Sequence, residues 1–269
     1  MNGRRILARR GVVLATGGIC WNAAIRARLF PAETRAYALG PATNTGDGAD
    51  LATGIGAAFD DGGDSPALWM PCSSYTRADG TLAVWPHILL DRAKPGLFAV
   101  NAKGERFVNE SDSYHDFSVG QIRAGAFPAH LVCDAGFMRK YGMGMILPGA
   151  RNLSAMLKAG YVIEAPTLDA LAARIGCDAV GLKRTVAEYN RYAESGVDAA
   201  FGRGTSVMNR FNGDPAQANP CLGPVGAGPY LRDGGEARGS GVFGGAGGGC
   251  VRAGAGAGRP ADRRALCLR

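Results

Sequence analysis

The chain has 269 residues, of which 46% are hydrophobic, so it can form one large domain or two smaller domains with a buried core. No apolar run approaches the roughly 20 residues that cross a bilayer, and the first residues lack the apolar stretch of a secretory signal. We therefore expect a cytoplasmic protein without a membrane span. The net charge is +7, but residues 231–269 hold seven arginines against three acidic residues, and the nearly balanced remainder argues against a nucleic-acid partner.

The first motif is an aliphatic run at residues 10–15 that ends in Thr16-Gly-Gly18. This pattern predicts a buried strand that breaks into a turn. Glycines in such a turn allow a ligand to approach the backbone closely, because no Cβ is in the way. Taken alone, the same pattern is equally satisfied by a simple turn.

The second motif, Asn44-Thr-Gly-Asp-Gly48, precedes an Ala-containing stretch that predicts a helix over residues 49–59. Free backbone N–H groups at the start of such a helix suit an anionic group, for example a cofactor phosphate. Thr45 or Asp47 can instead cap the helix, so the residues alone leave both interpretations open.

A change of composition at about Ala67, where an aromatic and proline-containing segment begins, indicates a domain boundary. Beyond it, residues 97–101, the turn 102–104 and residues 106–108 predict a β-hairpin. Apolar spacing and capping residues also predict a strand at 131–133 and helices at 135–141, 153–159, 167–175 and 178–195.

The predicted hairpin carries a polar, ionisable cluster that includes Arg106, Glu110 and Tyr114. A rigid support of this kind suits catalytic side chains, although charges beside a hairpin also serve as a solvated strand edge. The histidines, His87, His115 and His130, are widely separated, and the seven cysteines form no C-x-x-C pair. Neither a metal site nor a Ser/His/Asp pattern is predicted.

Several of these segments occur in the order typical of one family: Ala15–Gly18, Asn44–Gly48, Asp91–Gly96, Gly104–Glu110 with Tyr114, and Asp198–Gly204. Together they resemble FAD-dependent oxidoreductases related to fumarate reductase and succinate dehydrogenase flavoproteins, most of all the 3-ketosteroid dehydrogenase branch. The resemblance implies an α/β plus α+β fold. A partial FAD-binding Rossmann-like domain (residues 1–66 and 216–230) would hold an inserted substrate, or capping, domain (residues 67–215).

The resemblance also implies a site. FAD is the expected cofactor, bound by Ala15, Thr16, Gly17, Gly18, Thr45, Gly46, Asp47 and Gly48. Hydride transfer would link the flavin to a CH–CH group beside the carbonyl of a steroid-like or other cyclic ketone. Fumarate reductases carry an arginine where this chain has Tyr114, so a phenol is expected to move the proton, which favours a neutral ketone. A phenol needs local help to act as a base at neutral pH, and Arg106 would supply positive charge while Glu110 orients.

Both ends of the chain lack parts that the resemblance leads us to expect. The G-x-G-x-x-G turn would lie upstream of Arg5, and a strand, a flavin contact and a helix would follow Tyr230. We therefore expect the chain alone to bind FAD weakly or not at all. Residues 231–269, which are rich in glycine and arginine, indicate a shifted reading frame or a disordered linker. A truncated, inactive remnant and a fumarate reductase-like enzyme that reduces an enoate are the alternative functions.

Overall fold

A computed structural model describes residues 6–34, 38–59, 65–88, 90–226, 228–233, 242–244 and 251–252. The chain divides into two compact units, residues 1–68 with 244–269, and residues 69–243. Within the described ranges the elements, in chain order, are α1 (Ala23–Leu29), α2 (Asp47–Thr53), β1 (Ala58–Phe59), β2 (Trp69–Thr76), β3 (Leu82–Pro86), β4 (Leu97–Val100), α3 (Tyr114–Arg123), β5 (His130–Asp134), α4 (Ala135–Tyr141), α5 (Ser154–Lys158), β6 (Val162–Ala165), α6 (Leu168–Ile175), α7 (Ala179–Ser195), α8 (Val207–Asn212), β7 (Tyr230–Asp233), β8 (Val242–Gly244) and β9 (Val251–Arg252). A short 3-10 helix, Ala32–Thr34, follows α1.

The first unit differs from its sequence prediction at two places. The buried strand predicted at residues 10–15 is wrong: Val12 and Val13 are 78% and 76% exposed, and no described strand pairs with them. The helix predicted at 49–59 is shorter and shifted, because α2 ends at Thr53, before Gly54 and Gly56. Residues 58 and 59 instead form β1, which pairs antiparallel with β9.

The second unit is built around an antiparallel sheet with the strand order β4-β5-β7-β6. The side chains of β4 alternate between two cores, with Leu97 in one and Phe98 in the other. Residues of α3 and α4 cover the first face, and residues of α6 and α7 cover the second. A strand buried on both faces is apolar throughout, which explains the uninterrupted run Leu-Phe-Ala-Val of β4.

The helices of the second unit confirm most of the sequence predictions. α4 spans the predicted residues, and α5 lies within its predicted range. Thr167 and Asp178 accept hydrogen bonds from the first turns of α6 and α7, as N-cap residues do. Local capping and helical periodicity therefore suffice to place these elements.

The hairpin predicted at residues 97–108 is only half formed. Its turn is present, since Gly104 N donates to Asn101 O at 2.9 Å. No strand returns along residues 106–108, and β4 pairs with β5 instead. On the other edge of β4, Ala99 N donates to Glu110 Oε1 at 3.1 Å, and Arg203 Nη1 donates to Leu97 O at 2.5 Å. Two side chains thus satisfy backbone groups that a returning strand would otherwise pair.

The later part of the chain also differs from expectation. Within the described part of residues 216–230, Leu222 and Val225 pack in the core of the second unit, and the assignment of this segment to an FAD-binding domain stays a prediction. Asn190 of α7 further donates to Val225 O and accepts from Val225 N. Beyond Leu231, where no strand was expected, the structure has the end of β7 together with β8 and β9. The assignment of the two units to cofactor and substrate stays a prediction.

Gly104 lets the turn after β4 approach α7. Its φ is +69°, and a Cβ there would overlap Leu182 N and lie 2.7 Å from Asp178 O. Gly80 has φ +81° but open space around its Cβ position. Both Gly→Ala changes should cost about 1–2 kcal/mol for the left-handed backbone, and Gly104→Ala about 1–3 kcal/mol more because α7 must move. Urea unfolding of the two variants measures the difference, and equal losses would contradict this packing.

Candidate functional site

The two glycine-rich segments of the first unit lie against each other. Gly46 N donates to Gly18 O at 3.1 Å, and Trp21 N donates to Asn44 O at 2.9 Å. The side chain of Asn22, which caps α1, donates to Thr45 O at 2.7 Å. Segments that are distant in sequence therefore form one continuous surface.

The glycines of these segments are required by the contact itself. Gly17 has φ +87°, and a Cβ there would overlap the side chain of Asn44; a Cβ on Gly48 would overlap Thr16 Oγ1. The polypeptide surface around them is accessible, with Ala15, Thr16, Gly17, Thr45 and Asp47 all exposed. A backbone surface without Cβ atoms in the way fits a cofactor that lies close to the chain.

Of the two interpretations of this segment, capping of α2 by Thr45 or Asp47 does not occur. Gly46, with φ +96°, is the N-cap residue and provides no side-chain hydrogen bond. Thr45 Oγ1 donates instead to Asp47 Oδ1 at 2.7 Å. Both polar side chains are thus exposed next to the glycines rather than folded back onto the helix.

In the second unit, Arg106 and Glu110 come together in a buried ionic cluster. The guanidinium of Arg106 donates from Nε to Glu110 Oε1 at 2.8 Å and from Nη2 to Oε2 at 2.7 Å. It also donates to both carboxylate oxygens of Asp198, at 3.2 and 2.8 Å. Arg203 Nη1 donates to Glu110 Oε2 at 3.1 Å, and the side chain of Glu110 is 0% exposed. The two positive and two negative charges balance.

The cluster favours the charged states of Glu110 and Arg106. Burial alone would raise the pKa of Glu110, but the charges of Arg106 and Arg203 and the hydrogen bonds from Arg106 and Ala99 N outweigh it and lower the pKa. Burial alone would lower the pKa of Arg106, but the carboxylates of Glu110 and Asp198 outweigh it and raise the pKa above its ordinary value. Glu110 is therefore an ionised structural anchor at neutral pH.

This arrangement bears on the role expected for Arg106. Besides its two carboxylate partners, the guanidinium lies over the rings of Tyr189 and Phe201, at 5.4 and 4.9 Å from their centroids. Tyr114 is not among the contacts of the cluster within the described residues. The geometry thus ties Arg106 and Glu110 to each other, and a role of either residue at Tyr114 stays a prediction.

Tyr114 is the first residue of α3 and is half-buried. Ser113 caps the helix, since Asp116 N donates to Ser113 Oγ at 3.0 Å. Its neighbour His115 accepts a hydrogen bond from Trp69 N at 3.1 Å, which joins α3 to β2. Tyr114 therefore sits at a fixed helix start, directly after residues 109–113.

A second polar network was not predicted from the sequence. His87 is bonded to Asp91 Oδ2 at 2.6 Å and to Ser73 Oγ at 2.8 Å, and Ser73 Oγ is 2.7 Å from Tyr161 Oη. Burial would raise the pKa of Asp91, but His87 and Gly144 N–H outweigh it and lower the pKa. The order Asp-His-Ser is that of a hydrolytic triad, yet Ser73 is buried and engaged by Tyr161. We assign the network to structural support.

Sequence reasoning also missed several members of the two networks. Arg203 and Asp198 belong to the segment Asp198–Gly204, which the family resemblance included without assigning a role. Ser73 and Tyr161 come from β2 and from just before β6, so no spacing along the chain connects them. Burial of an arginine such as Arg203 depends on partners nearly a hundred residues away and has no local signature.

The described residues contain no cluster of His, Cys, Asp or Glu that could hold a metal ion. The cysteines in these ranges are free, namely Cys20, Cys72, Cys133, Cys177 and Cys221. None of the helices described combines the length and apolar composition that a membrane crossing requires.

The mixed helix and sheet fold, with adjoining glycine-rich segments in one unit, is that of a flavoprotein. The family model described as "FAD binding domain" matches residues 1–234, and the chain belongs to this family, whose cofactor is FAD. The sequence resemblance to this superfamily is confirmed. An inserted capping domain stays a prediction.

Several relatives have known activities. The chain is 38% identical to 4-oxocyclohex-2-ene-1-carboxylate 5-dehydrogenase of Sinomonas cyclohexanicum, over 84% of this chain and 39% of the relative. It is also 38% identical to 3-oxosteroid 1-dehydrogenase of Mycobacterium tuberculosis, over 84% of this chain and 40% of the relative. The chain therefore spans about 40% of the length of these relatives.

Solved structures agree. The crystal structure of 3-ketosteroid delta1-dehydrogenase from Sterolibacterium denitrificans, in complex with 1,4-androstadiene-3,17-dione, superposes with a TM-score of 0.76 at 35% identity. The match covers 92% of this chain and 44% of that structure. A flavocytochrome c3 fumarate reductase, with a TM-score of 0.53 and 24% identity, shares the fold.

Glu110 and Glu105 provide a matched test of the buried cluster. Glu110→Gln leaves Arg106 and Arg203 buried without their shared counter-charge, which should cost about 3–5 kcal/mol. Glu105 pairs with Arg184 at the surface, and its side chain is 43% exposed, so Glu105→Gln should cost less than about 1 kcal/mol. Urea unfolding compares the two variants. Similar losses would refute a structural role of Glu110.

The stability that Glu110 provides should depend on pH. Its folded pKa is lowered below the unfolded value of roughly 4.3, so its contribution is complete above that value and is lost as the pH falls through the folded pKa. The difference in unfolding free energy between the wild type and Glu110→Gln should therefore shrink as the pH falls from about 7 to about 3. Urea unfolding across this range measures it, and a constant difference would contradict the shift.

Proposed function

We propose that the chain is part of an FAD-dependent dehydrogenase that acts on the CH–CH group beside the carbonyl of a 3-ketosteroid or similar cyclic ketone. The observation that carries the proposal is the half-buried Tyr114, which starts α3 after the short loop that follows Glu110. A phenol at this point can move a proton without binding a carboxylate. The ring ketone in the names of the relatives supports the same substrate class.

The proposed reaction removes two hydrogens from adjacent carbons. When bound, FAD supplies the oxidising chemistry by accepting a hydride from one carbon. In the proposed step Tyr114 gives its own phenolic proton to solvent and takes the proton from the neighbouring carbon, and the electron pair of that C–H bond forms the new C=C bond. Two electrons leave the ketone in each turnover, so the proposed reaction would need an external electron acceptor to complete the cycle.

In this proposal the two units have different roles. The exposed surface of the first unit would hold FAD, with the backbone of residues 15–18 and 45–48 against it. The second unit would bind the ketone and present Tyr114. Arg106 and Glu110, which the cluster binds to each other, would support the site from within the fold rather than touch the substrate.

The activities of the relatives narrow the proposed substrate class. Relatives from Sinomonas cyclohexanicum act on a 4-oxocyclohexane or 4-oxocyclohexene ring that carries a carboxylate, whereas the mycobacterial relative acts on a steroid. The oxo group on a six-membered ring is common to all of them. We therefore propose the ring ketone, and not the rest of the molecule, as the recognised group.

Tyr114→Phe tests the proton transfer. With a 3-ketosteroid or 4-oxocyclohexanecarboxylate and an artificial dye, the variant should lose about 10²–10⁴-fold in kcat, because the phenolic oxygen is gone. FAD content should not change. Tyr192→Phe, a change at another half-buried tyrosine, is the control and should retain turnover. Unchanged turnover of Tyr114→Phe would exclude Tyr114 as the acid or base.

Flavin absorbance addresses the alternative of an inactive remnant. The chain is reconstituted with FAD, and the flavin retained per chain is measured after gel filtration, before any activity assay. Retained flavin together with turnover of a ring ketone supports the dehydrogenase. Absence of retained flavin would instead favour the inactive remnant.

A further inference from the structure

The residues just before Tyr114 are held by buried side chains from elsewhere in the second unit. Residues 110–112 form no helix or strand, so their backbone groups need other partners. Two side chains bind all three carbonyls of this segment, Arg92 and Asn209, which are 0% and 1% exposed. Neither has a role in the proposed reaction, and together they account for three successive backbone carbonyls.

Asn209, on α8, uses its whole hydrogen-bonding capacity here. Its Nδ2 donates to Ser111 O at 2.9 Å and to Asp112 Oδ1 at 3.0 Å. Its Oδ1 accepts from Asn109 Nδ2 at 2.9 Å and from Gly204 N at 3.1 Å. A primary amide has two N–H donors and two acceptor lone pairs, so every one is engaged and only one orientation of the amide satisfies all four partners.

Arg92 holds the carbonyls on either side of Ser111. Its Nη1 donates to Glu110 O at 2.6 Å and to Asp112 O at 3.3 Å. Its guanidinium also lies over the ring of Phe117 in the first turn of α3, 4.6 Å from the centroid. Burial lowers the pKa of Arg92 to about 10, opposed by Asp91, so the side chain is positively charged at neutral pH. It therefore connects the loop to the helix that begins with Tyr114.

Ser111 is also fixed through its side chain and its amide. Arg203 Nε donates to Ser111 Oγ at 2.9 Å, and Ser111 N donates to Asn109 Oδ1 at 2.9 Å. Because Arg203 is also a member of the ionic cluster, the loop before Tyr114 is attached to the same buried support as β4. Tyr114 thus begins a helix whose preceding backbone has little freedom.

We propose that Asn209 and Arg92 are positioning residues that hold the backbone of residues 110–112 and so fix the orientation of the Tyr114 phenol. The inference rests on the proposed function only in its catalytic consequence. The structural part, that the environment of Tyr114 depends on Asn209, is independent of any activity. A misplacement of about 1 Å at a reacting group costs on the order of 100-fold in rate, so such support matters for turnover.

Asn209→Asp tests the proposal in the full chain. The change preserves the shape of the side chain but removes both donors and places a carboxylate against Asp112. With tyrosine labelled with ¹³C at Cζ, the Tyr114 resonance, assigned by its loss in Tyr114→Phe, should shift or split in Asn209→Asp. Asn212→Asp is the matched control: it lies on the same helix, and its amide donates to Met208 O within α8. It should leave the Tyr114 resonance unchanged.

Turnover and rescue complete the test. In the FAD-loaded chain, Asn209→Asp should lower kcat about 10–100-fold with KM changed by less than about 3-fold, since the substrate still binds. Adding Asp112→Asn to Asn209→Asp returns a donor to the pair and should recover part of both the resonance and kcat. Absence of rescue in both readouts would contradict the direct contact between residues 209 and 112 on which the proposal rests.

The outcomes separate the two proposals. An unaltered Tyr114 resonance in Asn209→Asp overturns the positioning role, whatever the activity. An altered resonance with unchanged kcat supports the positioning of Tyr114 and overturns its proposed catalytic function. If Asn209→Asp does not fold, Arg92→Lys takes its place with the same measurements, because lysine keeps the charge but cannot reach both carbonyls.

Discussion

The second unit depends on the burial of the Glu110 carboxylate between two guanidinium groups. One oxygen also accepts from the backbone of β4, so the ion pair takes the place of a neighbouring strand along that edge. An unpaired carboxylate in such a position would be costly, and the two arginines make it stable. Because Arg203 reaches the loop before α3 and Arg106 reaches Asp198, the same pair connects the centre of the sheet to the loops around it.

Local signals in the sequence predict the outer elements of this unit well. Thr167 and Asp178 start α6 and α7 where capping residues should, and α4 occupies its predicted range. The prediction of the hairpin's second strand was wrong, because side chains and not a strand bind the free edge of β4. Such partners leave no periodic pattern in the sequence. The run at residues 10–15 failed for a related reason: its aliphatic pattern describes a strand, but strand formation needs a pairing partner that the pattern does not encode.

The candidate site was likewise predictable from the sequence in its local motifs but not in its long-range contacts. The resemblance correctly indicated the family and FAD, since glycine-rich motifs are local and ordered along the chain. It also drew attention to Arg106, Glu110 and Tyr114, but the spacing did not reveal that the first two bind each other. The partners that decide this, Asp198 and Arg203, are brought to the motif by the loop after α7. Such contacts depend on tertiary packing, which cannot be read from a single sequence without knowledge of its family.

The balance of charge in the buried cluster has a consequence for the surroundings of Tyr114. Two positive and two negative groups at hydrogen-bonding distance form a compact multipole, whose potential falls off much faster with distance than that of a single charge. The cluster therefore provides rigid, directional bonds while its own four charges contribute little field at a distance. A ring ketone bound as proposed would then be oriented by shape and by local hydrogen bonds rather than by the field of this cluster.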